Sequence, residues 1–232
     1  TNFWLILPKV GMWLSLVEHR VRDAGVAGSN PVIPTINSKM GEKVLLIFSF
    51  YLLGSIPFGL LFAKIKGIDP RKGGSGNIGA TNVMRTAGKT IGLLTLTGDL
   101  LKGFLPAFMG KSLYGPEWGF LFGLSAFFGH LFPVFLKFKG GKGVATATGL
   151  YLVLTPIPLL LSLLIFVAIL ILTRRVSLGS ISGALSIPCF IYLVNAEMRL
   201  LFYLAILLSS FIIIRHFSNI KRLLAGTEPR IF

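Results

Sequence analysis

The sequence predicts an all-α, polytopic integral membrane protein with seven transmembrane helices and its polar machinery on one face, and three observations predict it. Of 232 residues, 53% are hydrophobic, with a mean hydropathy of +0.79. Only 13% are charged, about half the share usual in a soluble domain, so a soluble fold could not hide the apolar excess. The third observation is where the charge sits: the formal net charge of +15 is confined to short breaks between long apolar runs. On one polar face that charge would suggest nucleic acid; in breaks it suggests membrane topology and anionic ligands.

Residues 1–39 differ from the rest. The stretch Glu18-His19-Arg20-Val21-Arg22-Asp23 is charged and unpatterned, and residues 25–37 have no helical or strand periodicity. A signal peptide needs a basic start, an apolar core and a small-residue cleavage site in that order, and the segment lacks that sequence. Gly28-Ser29-Asn30-Pro31 can be encoded by a nucleotide run that spells the T-arm of a tRNA gene. One reading is therefore an upstream gene read through in frame, with the start at Met40; the other is an ordinary disordered tail. Either way 1–39 is a non-homologous extension without assigned function, and 40–232 is the transmembrane domain.

A spanning helix needs about 20 mostly apolar residues. The runs 44–63, 92–109, 118–135, 159–172, 178–194 and 200–214 qualify. Residues 144–154 are apolar but short, closed by Thr155-Pro156-Ile157-Pro158, whose prolines end one helix or start another. Charge parity decides whether this piece crosses. The first break holds Lys64, Lys66, Arg71, Lys72, Arg85 and Lys89, the second only Lys111, the third Lys137, Lys139 and Lys142. Arg174 and Arg175 follow the uncharged proline break; Arg199 stands alone in the next; the tail holds Arg215, Lys221, Arg222 and Arg230. Because basic loops stay in the cytoplasm, Lys142 and Arg174 share a side, and the chain between them crosses an even number of times. That makes seven spans, with the N-terminal end outside and the C-terminus inside. A re-entrant pair at 144–154 would leave the sides unchanged.

Asp99 and Lys102 fall inside the second span, three residues apart and so on one helix face. Ionisable groups at that depth are costly and turn toward a bundle interior or a functional cavity; a structural ion pair is the expected role. Cys189, the only cysteine, excludes an internal disulfide framework and a multi-cysteine metal site, and His19, His130 and His216 are too scattered for one. No metal or cofactor is expected.

The chemistry lies in the basic breaks. The first contains a literal G-x-G-x-x-G at Gly74, Gly76 and Gly79, but a dinucleotide fingerprint needs a preceding strand and a following acidic residue in soluble context. A membrane helix precedes it, and Asp99 lies within a span, so that reading fails. What survives is physical. Glycines let backbone N–H groups converge on an anion, while Ser75, Asn77, Thr81 and Asn82 add donors and Arg85 a planar fork for phosphate. In the third break, Lys139-Gly140-Gly141-Lys142-Gly143 opens the short apolar segment like a phosphate cradle at a helix N-terminus, without Walker A spacing. Topology alone asks for lysines but not for glycines. His130, upstream, fits an interfacial or core position equally well. Ser177 and Ser180 stand beside Arg174 and Arg175, and in the tail His216 and Asn219 share a helix face.

Together these segments resemble the bacterial acyl-phosphate:glycerol-3-phosphate acyltransferase family from Met40 onward. Three runs carry the resemblance: Gly-Ser-Gly-Asn-x-Gly-Ala-Thr-Asn-Val-x-Arg (74–85), His-x-x-Pro-Val-Phe with Lys-Gly-Gly-Lys-Gly-Val-Ala-Thr (130–146), and Arg-His-x-x-Asn-Ile-x-Arg-Leu-Leu-x-Gly-x-Glu (215–228). The resemblance implies a seven-span fold in the bacterial inner membrane with a cytoplasmic-face active site. It also implies acyl transfer from a fatty acyl phosphate to the 1-hydroxyl of glycerol 3-phosphate. Ser75, Arg85, Lys142, His216 and Asn219 would be the catalytic set. Gly74, Gly76, Asn77, Thr81, Asn82, His130, Lys139, Gly140, Gly141, Gly143, Ser177 and Ser180 would bind substrate. A soluble enzyme that makes acyl phosphate is the partner expected by pathway logic; nucleic acid is not. No Ser-His-Asp or Cys-His arrangement appears in these runs, which suits direct attack by the substrate hydroxyl, with a substrate phosphate oxygen or His216 as base. No His has an Asp five residues on, so the H-x-x-x-x-D of acyl-carrier- and CoA-dependent acyltransferases is missing. A polyol-phosphate transporter is the rival from another class, and it predicts inverted repeats and a midplane site; the sequence shows no convincing repeat.

Overall fold

A computed structural model describes residues 38–194, 197 and 199–231, and every regular element within them is helical. The readings of residues 1–37 lie outside the described residues. Val44–Phe232 forms the packed unit.

The first apolar run is a broken span. Helix α1 (Ser38–Ser55) stops where Pro57, without an N–H, cannot continue it, and α2 (Phe58–Lys64) resumes after the break; together Met40–Lys64 is long and apolar enough to cross a membrane. A 3-10 turn (Pro70–Lys72), capped by the Asp69 carboxylate, leads to α3 (Ala80–Ala87). Next come α4 (Lys89–Tyr114), of 26 residues, and α5 (Pro116–Leu131), joined at Gly115. A 26-residue helix is about 39 Å long, more than the hydrocarbon core requires. The short apolar segment is α6 (Val144–Leu154); α7 (Pro156–Thr173), α8 (Val176–Val194) and α9 (Arg199–Arg215) follow, and α10 (Phe217–Leu224) turns off α9 by 57°. By length and composition, five helical stretches among the described residues can span, or six if α9 and α10 count as one.

Small residues bring the helices together, as expected where lipid removes the hydrophobic drive between them. A Cβ on Gly103 of α4 would strike the Thr146 carbonyl of α6, and one on Gly149 of α6 the Leu100 carbonyl of α4. These contacts place the start of α6 beside the middle of α4, while Val134, Phe135, Lys137, Phe138 and Lys139 of the break before it stay exposed. The far end of α6 is level with the end of α4, where Lys111 Nζ donates to the Val153 carbonyl at 2.8 Å. The core, with Phe120, Phe127, Leu131, Leu150, Ile191 and Leu208 at its centre, links α4 to α9. Leu160, Leu164, Ile171, Leu172 and Leu193 stay exposed on the outer faces, as a lipid-facing surface allows.

Candidate active site

At one end of the bundle the three chain segments singled out by their residues meet. A cleft of about 330 Å³ is lined by Ser75 and Asn77 from the first break, Lys142 from the third, and Ile214, Arg215, Ser218, Asn219 and Arg222 from α9 and α10. Ser75 and Asn219 are 144 positions apart in sequence, so only the fold can join them.

The first break is folded around Asn82. Its buried amide nitrogen donates to the carbonyls of Pro70 (2.8 Å), Gly73 (3.1 Å) and Asn77 (2.8 Å), while its oxygen accepts from the Ser75 N–H at 2.8 Å. Asn82 is therefore the internal staple of the loop, with every polar group engaged, rather than a donor facing the cleft. Gly74 has a positive φ and its Cα lies against the Asn82 side chain, so no Cβ fits there. The Gly76 N–H donates to the Gly73 carbonyl and the Gly79 N–H to the Asn77 side chain. The amides of Ser75, Gly76 and Gly79 are thus spent within the loop; what it presents to the cleft are the side chains of Ser75 and Asn77. Thr81 sits half-buried in the first turn of α3 and Lys139 is exposed; neither lines the cleft. Arg85, on the last turn of α3, is exposed beside Gly74, near enough for its charge to act on Lys142.

The third break is held from outside. Its Gly140 and Gly141 N–H groups donate to the carbonyls of Leu131 (3.2 Å) and His130 (3.1 Å) at the end of α5, and Arg215 donates to both glycine carbonyls, from Nε to Gly141 at 3.0 Å and from Nη2 to Gly140. The expected backbone cradle is again engaged in folding. Gly143, with φ of +84° against Phe127 and Leu131, turns the chain into α6, whose N-terminus has no side-chain cap. That turn delivers Lys142 into the cleft, where its Nζ donates to Asn219 Oδ1 at 2.5 Å. Burial lowers its pKa to about 8; Glu228 opposes the shift, and Arg222, Arg215 and Arg85 add to it.

The tail supplies the third wall. His216 caps α10 and is buried; Nδ1 lies 2.8 Å from the Ile212 carbonyl, an acceptor only, so the proton is on Nδ1 and Nε2 keeps its lone pair. Burial and the nearby Lys142 charge lower its pKa to about 4, which makes the ring neutral at pH 7. The Asn219 Nδ2 donates to Glu228 Oε1 and Arg222 Nε to Glu228 Oε2, both at 2.7 Å. Burial pushes the Glu228 carboxyl up, but hydrogen bonds from Ser177, Asn219 and Arg222 outweigh it and hold the group below its ordinary value. The Ser177 contact is a close approach without full hydrogen-bond geometry.

Of the expected residues only Ser75, Asn77, Lys142 and Asn219 line the cleft; Arg85, His216, Ser177, Thr81, Asn82, Lys139 and the loop glycines do not, and two more go elsewhere. His130 is buried under Gly141 beside Lys102 and Asp99, away from the cleft lining. Ser180 lines a second, largely apolar crevice of about 50 Å³ between α6, α7 and α8, with Val144, Tyr151, Leu159, Phe166 and Ile212. Arg215, Ser218 and Arg222 had no assigned role, yet all three line the cleft with Asn219. Their spacing of three, four and seven residues from Arg215 was the available signal. Among the described residues no group of three His, Cys, Asp or Glu converges as a metal ion would need; the cleft's polar groups are cations, amides and hydroxyls.

An all-helical bundle with several helices apolar enough to span, and a basic, amide- and hydroxyl-lined cleft at one end, defines the class: a helical integral membrane protein. Its family follows from comparison. The family model described as glycerol-3-phosphate acyltransferase matches residues 44–226, and the chain belongs to that family. It is 48% identical over 190 residues to the glycerol-3-phosphate acyltransferase of Geotalea daltonii, covering 82% of this chain and 97% of the relative. With that of Aquifex aeolicus the identity is 47% over 191 residues, 82% of this chain and 99% of the relative. Crystal structures of PlsY, an integral membrane glycerol 3-phosphate acyltransferase, superpose on it. The glycerol 3-phosphate form gives a TM-score of 0.78 at 43% identity, over 82% of this chain and 96% of that one. The lysophosphatidic acid form gives 0.76 at 43% identity, over 82% and 95%.

Proposed function

We propose that this glycerol-3-phosphate acyltransferase takes its acyl group from an acyl phosphate and releases 1-acyl-glycerol 3-phosphate (lysophosphatidic acid) and inorganic phosphate. The observation that carries the reading is the convergence of Lys142, Arg215, Arg222, Ser75, Asn77 and Asn219 on one cleft. Two phosphorylated substrates need such a site: cations offset their charge, while hydroxyls and amides orient them. The apolar crevice draws on the same chain segments, its Val144 two residues after Lys142 and its Ile212 two before Ile214.

In this reaction the 1-hydroxyl oxygen of glycerol 3-phosphate attacks the acyl carbonyl carbon, the bond from that carbon to the phosphate oxygen breaks, and the hydroxyl proton leaves with the phosphate. An acyl phosphate is already activated, so positioning and charge stabilisation carry most of the rate. Lys142 and the uncapped amides at the start of α6 stabilise the developing oxyanion or the departing phosphate. Arg85 and Arg222 steady the substrate phosphates, and Ser75 and Asn219 orient the hydroxyl. His216 and a substrate phosphate oxygen are the two candidate proton acceptors, and the depressed pKa of about 4 of the buried imidazole favours the phosphate oxygen.

The cleft faces the cytoplasm in this reading, and the chain crosses the bacterial inner membrane seven times with its N-terminal end outside. The support is that the basic breaks gather at one end. Lys142 bonds to Asn219 in the tail, and the Ile231 N–H to the Arg174 carbonyl, while Lys111 of a poor break meets the far end of α6. Helices α6 and α7 therefore leave that end and return to it. A soluble acyl-phosphate-producing enzyme is the partner this topology would admit.

The test is to incubate the purified chain with palmitoyl phosphate and labelled glycerol 3-phosphate. Labelled lysophosphatidate is the expected product. None, or an equal rate with palmitoyl-CoA, would overturn the donor assignment.

A further inference from the structure

One buried ionic cluster lies outside the residues that line the cleft. In α4, Lys102 Nζ stands 2.9 Å from Asp99 Oδ1 and 3.1 Å from His130 Nδ1 of α5. It also donates to the carbonyls of Gly54 (3.2 Å) and Ile56 (2.8 Å), at the break between α1 and α2. Asp99 Oδ1 is 3.5 Å from the same His130 nitrogen, and all three side chains are at least 95% buried. Charges in a membrane interior are retained where they are paired and hydrogen-bonded. Here the pairing has a use. Pro57 supplies no N–H at the break, and Lys102 bonds the Gly54 carbonyl there and adds a second donor to the Ile56 carbonyl, which also accepts from the Phe58 N–H.

The far edge of the imidazole faces the third break. Nε2 and Cε1 lie where a Cβ on Gly141 would go, so the ring packs directly on the Gly141 backbone. The carbonyls of His130 and Leu131 hold the Gly141 and Gly140 amides, and Lys142 is the next residue. We infer that Asp99, Lys102 and His130 are positioning residues. The cluster clamps the turn at Gly140 and Gly141 between α5 and Arg215, sets where the Lys142 ammonium stands in the cleft, and ties that position to the break in the first span.

The kinetic part of the inference rests on the acyl-transfer reading above, so the test has an arm that needs no substrate. In His130→Ala, amide hydrogen exchange at Gly140 and Gly141 should quicken about tenfold, while exchange in α10 stays as in the parent chain. In steady state KM for glycerol 3-phosphate should rise about tenfold and kcat should fall with it, since Lys142 is placed both to hold phosphate and to meet the charge that develops in the transition state. Phe122→Leu, a core truncation two turns up α5 from His130, should lower Tm without moving exchange at the glycines or KM. Should His130→Ala fail to fold, Gly141→Ala drives a methyl group into the ring from the opposite side and should give the same two changes. Where both fold, adding His130→Ala to Gly141→Ala makes room for the methyl, and the double variant should be no worse than His130→Ala alone. Unchanged exchange overturns the clamp; faster exchange with unchanged KM overturns its link to Lys142; additive losses overturn the packing argument. A parent chain that makes no product from palmitoyl phosphate counts against the proposed reaction, and the exchange arm still decides the clamp.

Discussion

The first and third breaks look alike as sequence, each a glycine-rich, basic stretch suited to wrap an anion, but they are built in opposite ways. The first is held from within: Asn82, seven residues after Ser75, bonds four backbone groups of its own loop. The third is held from without, by α5 carbonyls on one side and Arg215 on the other. In both, much of the glycine backbone is consumed by the fold, so in the proposed reaction anion recognition would pass to side chains delivered at the rim. Glycine there serves close approach more than it serves ligand binding. A self-contained loop tolerates changes elsewhere in the bundle, while an externally held one transmits them.

The difference can be broken at its strongest point first. Lys142→Met removes the cation that the third break exists to place, and kcat/KM for acyl transfer should fall about 10²–10³-fold in steady-state assays, with Tm little changed. Asn82→Ala should come next, because the loop loses its internal hub. A cost near 2 kcal/mol in site organisation corresponds to about 30-fold in kcat/KM, with exchange quickened at Ser75 and the third break unaffected. Lys142 also makes its loop pH-sensitive. Its pKa near 8 means the ammonium is lost as pH rises through that value, so KM for glycerol 3-phosphate should be flat just below pH 8 and climb up to about tenfold per unit above it. Lys142→Arg should flatten that limb. Arg215→Lys keeps the charge but not the fork that spans two carbonyls; a loss of about tenfold, with faster exchange at Gly140 and Gly141 and none at Ser75, would mark the outside support.

Much of this was legible beforehand because membrane physics leaves few choices. Apolar runs, proline breaks and the alternation of basic residues point to a helical bundle with one polar end, and the ion pair of Asp99 and Lys102 is where helical spacing put it. Ser75, Asn77, Lys142 and Asn219 do line one cleft. Less legible were the jobs of individual residues. Asn82 reads as a donor to ligand until its four partners are known, His130 as a site residue until Lys102 and Gly141 are seen against it, and Ser180 as polar until its crevice proves largely apolar. The cluster at His130 joins positions 54, 56, 99, 102, 130 and 141, which no local pattern connects.

By itself, then, the sequence determined the solvent, the element type and the chemistry: lipid, because the apolar runs have nowhere else to go; helix, because lipid demands internally satisfied backbones; and anion binding, because hydroxyls, amides and cations recur in the breaks. Tertiary structure decided which donors remain free. A backbone N–H or a buried asparagine can bond a ligand or bond the fold, and the choice depends on which carbonyl lies within about 3 Å, a distance set by helices far apart in the chain.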